Sequence, residues 1–201
     1  MNIFVTHPFP AESAICLPDK HIVKMPLEVA QILCTTIWID KHLGFIPRAL
    51  NKEESDHLNS LKKEIKHLKP EERPLTPYLP MMYNHPCTIW ARTSQQNYEW
   101  LFCYALALND EYGYRYGGKS HKSVAEVILK LPDISLPNIG LTPFAQAMPD
   151  ELKSEDAVKS YQMFYMKDKA AIKKGCTWKH REKPEWWDEE IADYTSRISG
   201  Q

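Results

Sequence analysis

Five polar side chains between residues 19 and 42 have the spacing of one helical face. His21, Lys24, Glu28, Gln31 and Thr35 follow one another at steps of three or four residues, which places them in a single stripe along a helix. An imidazole, an ammonium and a carboxylate within two turns alter one another's pKa values, as active-site groups do. The stripe therefore predicts a catalytic or binding face. The alternative is a solvated face on which Lys24 and Glu28 form a stabilising ion pair.

A helix must position this stripe, and the flanking residues indicate where it begins and ends. Asp19 favours a helix start, as a cap or a first-turn acid, and Gly44 favours its end. Pro26 lies inside the helix and lacks the N–H that should reach the carbonyl of Ile22, so it predicts a bend beside Glu28. The apolar positions predicted to face a core are Ile22, Val23, Val29, Ile32, Leu33 and Ile37.

Composition favours one mostly α protein. The chain has 201 residues, 15 prolines and only 7 glycines, which predicts a compact helical domain with proline-rich connections. Residues 2–5 are expected to form a short buried strand or an extended N-terminal segment. We expect residues 1–124 to form a helical, catalytic-like domain and residues 125–201 a C-terminal extension that packs on it as part of one structural unit.

Charge and cysteine usage narrow the function classes. A formal net charge of −1 argues against a general nucleic-acid-coating role. The 5 cysteines show no CxxC spacing, and the histidines are dispersed, so we expect reduced thiols, no metal site and no cofactor. No secretory signal or membrane-spanning run is evident, and we expect a cytoplasmic protein without a membrane partner.

A second informative stretch covers residues 83–123. Thr93 and Gln96 have the spacing of a capping box, and the helix that they open is expected to run to about Tyr112. The aromatic-rich segment that follows contains Arg115, with the cations Lys119, His121 and Lys122 after it. Aromatic rings among cations can stack bases and hold phosphates. The alternative is a tyrosine-rich helix end at which the helix dipole stabilises the nearby cations.

The remaining sequence predicts supporting elements. Residues 51–69 predict a charged surface helix, and residues 69–80, with four prolines, an extended connection. Residues 125–150 predict a long irregular crossing. A final helix is expected over residues 155–174, followed by a tail with three tryptophans. Its apolar positions are Val158, Tyr161, Phe164, Tyr165 and Ile172.

Two motifs resemble those of a known enzyme family. The run DKHIVKMPLE places a His two positions and a Glu nine positions after Asp19, and it is similar to the catalytic helix of endonuclease V-type pyrimidine-dimer DNA glycosylases. The segments MNIFVTHP at the start, NHP at residues 84–86 and RYG at residues 115–117 also resemble that superfamily. The likeness covers about residues 1–120. Over its whole length the chain also resembles a class of phage-type proteins.

The resemblance implies a compact helical fold with the N-terminus at the active site. Glu28 would be the catalytic carboxylate, His21 the helix histidine and Met1 the residue that carries a nucleophilic α-amine. Asn2 is too bulky for efficient removal of the preceding methionine, so Met1 is expected to remain, whereas the family commonly begins with a small processed residue such as Thr. The family also carries arginines beside its Glu, where this sequence has Leu27 and Gln31.

Together with the polar stripe, the resemblance predicts a DNA N-glycosylase and abasic-site lyase that acts on a damaged or modified base. Glu28, His21 and Met1 are the predicted catalytic residues. Predicted substrate-binding residues are Lys24, Gln31, Asn84, His85, Arg92, Arg115 and His121. One alternative is an enzyme that processes a modified nucleotide or nucleoside at its glycosidic bond, which the net charge favours. Another is a non-catalytic module that binds a nucleic acid or protein through residues 112–116 and the tryptophans Trp178, Trp186 and Trp187.

Overall fold

The computed structural model describes residues 1–171 and 175–193. Within these residues the protein is helical and contains no strand, which confirms the predicted mostly α class. Short 3-10 turns at Pro70–Glu72, Ile128–Lys130 and Asp150–Leu152 lie in the connections between helices, and another at Lys169–Ala171 follows the helix Ala157–Lys167. The α-helices with both ends described are, in chain order, α1 (Pro10–Ile15), α2 (Asp19–Leu43), α3 (Lys52–Ile65), α4 (Pro86–Ala91), α5 (Gln95–Arg115), α6 (Lys122–Ala125) and α7 (Ala157–Lys167). Residues 189–193 are also helical.

Helix α2 is the central element, and α5 packs against both α1 and α2. Asp19 is the first residue of α2. The helix dipole stabilises its carboxylate in the first turn. Gly44, with φ of 78°, ends the helix. By length and composition α2 could cross a membrane, but 72% of its most apolar window is buried inside the protein. Such burial is typical of a core helix.

The apolar face of α2 matches the prediction except at one position. Ile22, Val29, Ile32, Leu33 and Ile37 are fully buried. The prediction for Val23 is wrong, since this side chain is 45% exposed. The reason is geometric: one residue advances about 100° around a helix, which carries Val23 from the core side towards the solvent.

Helix α5 begins one residue later than predicted and ends three residues later. Ser94, rather than Thr93, is the N-cap, and its hydroxyl accepts the N–H of Asn97 at 3.1 Å. The Thr93 hydroxyl instead donates to the carbonyl of Ile89 at 2.8 Å, on the preceding helix. The predicted box at Thr93 is therefore wrong, because two adjacent hydroxyl residues could both serve as caps and tertiary packing selects the second.

The N-terminal segment is extended and buried in the core. Ile3 and Val5 are fully buried and Phe4 is 4% exposed, although no strand forms there. The hydroxyl of Ser13 in α1 accepts the N–H of Thr6 at 3.1 Å, which joins the segment to the helix that follows it. Of the two predicted alternatives for residues 2–5, the structure shows the extended one.

The C-terminal part of the chain contributes to the same core. Tyr161 and Tyr165 on α7 are fully buried and Phe164 is 5% exposed, in one cluster with residues of the N-terminal segment, α2 and α5. The predicted final helix over residues 155–174 is shorter in the structure, where α7 ends at Lys167. Ile172 lies outside the described residues. The division at residue 124 stays a prediction, but the core includes side chains from both sides of it.

Candidate active site

A cleft of about 500 Å³ opens where the N-terminal segment, the first turns of α2 and the C-terminal part of the chain meet. Three widely separated stretches of sequence therefore build one site. The residues that line it are Met1, Asn2, Phe4, Lys20, His21, Lys24, Glu28, Ala147, Phe164 and Lys169.

Glu28 lies in the wall of this cleft, with its side chain 11% exposed. One carboxylate oxygen, Oε1, lies 2.8 Å from Lys24 Nζ, and the other, Oε2, accepts the backbone N–H of Asn2 at 3.0 Å. Burial raises the pKa of Glu28, but Lys24, the Asn2 N–H and the Met1 α-ammonium together lower it by more, so the net shift of the pKa is downward. Glu28 is therefore a carboxylate at neutral pH, held between two donors.

Asn2 holds the start of the chain against this carboxylate. Its side chain is almost wholly buried: Nδ2 donates to the carbonyl of Ala147 at 2.8 Å, and Oδ1 accepts the Tyr161 hydroxyl at 2.8 Å. Oδ1 also accepts the N–H of Ile3 at 2.8 Å. Because the Asn2 N–H touches Glu28, backbone dimensions place the Met1 nitrogen within about 7 Å of that carboxylate.

His21 forms the floor of the cleft beside Phe4. The two rings are stacked with centroids 4.6 Å apart, and His21 Nδ1 lies 2.5 Å from the Tyr165 hydroxyl. Burial lowers the pKa of His21 to about 4, with further lowering by Lys24 and Lys169. Burial also raises the pKa of Tyr165 well above its ordinary value. At neutral pH this pair is therefore a neutral imidazole bonded to a neutral phenol.

The backbone at Phe4 supports a functional reading of this corner. Phe4 has φ of 45°, a left-handed conformation that is rare for a bulky residue and is kept only where surrounding contacts fix it. Those contacts include the His21 ring and the Phe164 ring, whose centroid lies 6.0 Å away. The segment that carries Met1 thus has a left-handed residue packed against the rings of His21 and Phe164.

The structure brings four of the predicted site residues together, since Met1, His21, Lys24 and Glu28 all line the cleft. His85 lies nearby. It caps α4 by accepting the N–H of Cys87 at 3.2 Å, and its pKa is lowered by burial and by the Met1 α-ammonium, against an opposing effect of Glu28. The catalytic and binding roles of these residues stay predictions.

Other predicted binding residues do not line the cleft. Gln31 is half-buried one turn beyond Glu28. Asn84 pairs with both backbone groups of Leu50: its Oδ1 accepts the N–H at 2.6 Å and its Nδ2 donates to the carbonyl at 3.0 Å. Arg92 is 2% exposed and donates to three carbonyl oxygens, those of Ile46, Tyr83 and Arg48. The structure thus shows the side chains of Asn84 and Arg92 bonded to backbone within the fold.

The predicted aromatic and cationic region beyond α5 also forms internal contacts. Arg115 is 1% exposed, bonds Glu111 at 2.6 Å and Asp19 at 3.0 Å, and thereby joins the end of α5 to the start of α2. His121 caps α6, and its Nε2 lies 3.1 Å from the carbonyl of Val23. Trp178 is 7% exposed, with its Nε1–H donated to a backbone carbonyl. These groups are therefore arranged to hold elements of the fold together.

Sequence reasoning missed most of the residues that complete the cleft. The sequence places Asn2 in the N-terminal segment and next to a retained methionine, and only the general tendency of asparagine side chains to bond backbone groups indicates a further role. Phe164 was expected in the core, and Ala147 and Lys169 carried no local signal, because their place in the site depends on how the C-terminal part of the chain packs. Within residues 1–171 and 175–193, no group of three or more His, Cys, Asp or Glu side chains is placed to hold a metal ion.

Comparison with known proteins identifies the family of this chain. The sequence profile of a family described as pyrimidine dimer DNA glycosylase matches residues 1–124 of the 201 in the chain. The chain belongs to the pyrimidine dimer DNA glycosylase family. No curated protein and no solved structure matches it significantly. Family membership confirms the resemblance drawn from the sequence motifs, supports a DNA glycosylase-type function in general and implies DNA as the substrate.

Proposed function

We propose that this glycosylase-family protein removes a damaged pyrimidine from DNA and cleaves the strand at the abasic site that results. In this proposal the α-amine of Met1 is the nucleophile and Glu28 is its partner carboxylate. The observation that carries the proposal is the hydrogen bond from the Asn2 N–H to Glu28 Oε2 at 3.0 Å. That bond brings the beginning of the chain to the one carboxylate that lines the described part of the cleft.

The proposed chemistry begins with attack of the neutral α-amine on the C1′ carbon of the damaged nucleotide. A carbon–nitrogen bond to the protein forms as the glycosidic bond breaks, and the base leaves with a proton. The ring oxygen then takes a proton as the sugar opens to a Schiff base. An α-amine suits this step because it titrates closer to neutral pH than a lysine does.

Glu28 supports these steps in two ways. Its negative charge stabilises the cationic sugar, and its oxygens accept and return protons during attack and ring opening. Lowering of its pKa by Lys24 and the N-terminal segment keeps it ionised. His21, neutral and bonded to Tyr165, would shape the floor on which the sugar rests, and we propose for it a positioning role.

Duplexes that contain pyrimidine dimers or abasic sites test the proposal directly. The wild-type protein should cleave both, and borohydride should trap a covalent complex with abasic DNA. Glu28→Gln keeps the size and hydrogen bonding of the side chain but removes its charge, so cleavage should fall by at least about 100-fold. Glu126→Gln, which changes an exposed carboxylate paired with Lys122, is the matched control. Unchanged cleavage by Glu28→Gln would overturn the proposal.

A second candidate, processing of a free modified nucleoside, is favoured by the net charge of −1. The same assays separate the two. A free nucleoside enzyme should release base from nucleosides and leave irradiated duplex intact, with little dependence on salt. A DNA glycosylase should act on the duplex and lose affinity steeply as salt rises.

A further inference from the structure

Three lysines line the cleft around the single carboxylate of Glu28. Lys20 and Lys24 lie on successive turns of α2, and Lys169 lies in the turn that follows α7. Three ammonium groups against one carboxylate give the described part of the cleft an excess of positive charge, in a chain whose net charge is −1. This concentration of cations indicates a binding site for an anion.

The three ammonium groups differ in how their charges are met. Lys24 pairs with Glu28 at 2.8 Å. Lys169 pairs with Asp168 at 2.6 Å and lies 4.5 Å from the centre of the Phe164 ring. Lys20 Nζ is buried and has no hydrogen-bond partner among residues 1–171 and 175–193. A buried ammonium without a partner is costly, and a bound anion would supply the acceptor that it lacks.

All three lysines line the same cleft as His21. After burial, Lys24, Lys169 and Lys20 lower the pKa of His21, as positive charges near an imidazole do. The positive charge is therefore concentrated in one cleft, next to the position that the proposed chemistry gives to the sugar.

We propose that Lys20 and Lys169 form a phosphate subsite, which binds the phosphodiester next to the nucleotide held against Met1 and Glu28. This inference rests on the proposed function and deepens it. In this proposal the unpartnered ammonium of Lys20 donates to the phosphate oxygens, and Lys169, which lines the same cleft from the C-terminal part of the chain, adds a second positive charge. Phosphate contacts of this kind fix the register of DNA in a site without reading its sequence.

The subsite also gives the C-terminal part of the chain a role in binding. Lys169 lies beyond residues 1–124, the region that the family profile matches. Phe164, which is close to Lys169, lines the same cleft. In this proposal, phosphate binding thus involves Lys20 in α2, which lies inside the region that the family profile matches, and Lys169 in the turn after α7, which lies outside it.

Binding measurements test the subsite without requiring catalysis. The probe is a duplex with a tetrahydrofuran abasic analogue, which an amine cannot open, titrated at several salt concentrations. Lys20→Gln and Lys169→Gln should each reduce the slope of log affinity against log salt by about 1. Lys20→Arg keeps the charge and should keep the slope. Lys159→Gln, on an exposed part of α7, is the control, and thermal unfolding establishes that every variant is folded.

Inorganic phosphate supplies an independent readout. In the wild-type protein it should shift the NMR signals of Lys20, His21 and Lys169, and Lys20→Gln should weaken these shifts several-fold. If neither glutamine variant differs from Lys159→Gln in salt slope, or if phosphate leaves these signals unmoved, the subsite is refuted. Charge-dependent phosphate binding without any glycosylase or lyase activity would preserve the subsite and refute the proposed function. Activity with unchanged slopes would do the reverse.

Discussion

The anchoring of the N-terminus by Asn2 leads to a quantitative prediction for Asn2→Leu. Leucine is similar in size and, like asparagine, is too bulky for efficient removal of Met1. The variant loses the bonds of Asn2 to Ala147, Tyr161 and Ile3, each 2.8 Å long. Tyr161 keeps its other acceptor, the carbonyl of Ala145 at 2.8 Å. The bonds that are lost without replacement contribute about 1 kcal/mol each, so the free energy of unfolding should fall by about 2–3 kcal/mol.

Two assays on Asn2→Leu separate stability from positioning. A loss of this size should lower the thermal unfolding midpoint by about 5–10 °C in a chain of this length. At a temperature where the variant is fully folded, the rate of borohydride trapping with abasic DNA should fall by about 10- to 100-fold, because the Met1 amine is no longer held beside Glu28.

Asn59→Ala is the control for this prediction. It removes an exposed asparagine that accepts the Tyr83 hydroxyl at 3.0 Å and should change stability by less than about 0.5 kcal/mol. Mass measurement of each intact protein establishes that its chain begins at Met1. Asn2→Leu protein with wild-type stability, or with wild-type trapping per folded molecule, would refute the reasoning.

Three further predictions concern the groups around the cleft. Because the pKa of His21 is about 4 in the fold against an ordinary value of 6.5, the unfolded chain binds the proton first as pH falls. The stability that neutral His21 contributes is therefore fully present above pH 6.5 and is lost as pH falls towards 4, by about 3 kcal/mol in total. The variant His21→Gln should therefore flatten the acid side of a plot of unfolding free energy against pH. In Arg92→Lys the lysine cannot donate to three carbonyls, so the variant should lose about 2–4 kcal/mol of stability while the DNA affinity of the folded protein is unchanged. A selective loss of affinity would support the predicted binding role of Arg92. A chain of residues 1–124 alone lacks Tyr161, Phe164 and Tyr165 from the core and should show no cooperative unfolding transition, and a sharp transition would contradict this account of the core.

The features that could be predicted from the sequence are those that depend on local spacing. The stripe containing His21, Lys24 and Glu28 is visible in the chain because helical periodicity places these residues together, and the structure has all three in one cleft. The mostly α class, the start of α2 at Asp19 and its end at Gly44 follow from the same kind of local signal.

The arginines show where this reasoning ends. Arg92 and Arg115 lie near aromatic residues in the sequence. An arginine in such a setting can bind a substrate or can bond to other parts of the fold, and the sequence pattern is the same for both roles. The structure shows each guanidinium buried and bonded inside the fold, to carbonyls for Arg92 and to Glu111, Asp19 and carbonyls for Arg115. Burial depends on packing between distant elements, and nothing in the local sequence distinguishes a buried arginine from an exposed one.

The rest of the cleft comes from the far end of the chain. Ala147 accepts the Asn2 side chain across 145 positions of sequence, and Phe164 packs near Phe4. Such contacts have no periodic signature, because residues 131–149, which lead to them, form neither helix nor strand. The stripe of His21, Lys24 and Glu28 could therefore be predicted from the sequence, whereas the residues that fix the N-terminus beside it could not.

Mapping the trapped adduct tests the central claim most directly. Wild-type protein is reduced with borohydride in the presence of abasic DNA, digested with a protease, and the modified peptide is sequenced by mass spectrometry. We predict that the sugar remnant is attached to the α-nitrogen of Met1, and that Glu28→Gln strongly reduces its yield. An adduct on the side chain of Lys20, Lys24 or Lys169, with Met1 unmodified, would contradict the claim that the beginning of the chain is the nucleophile.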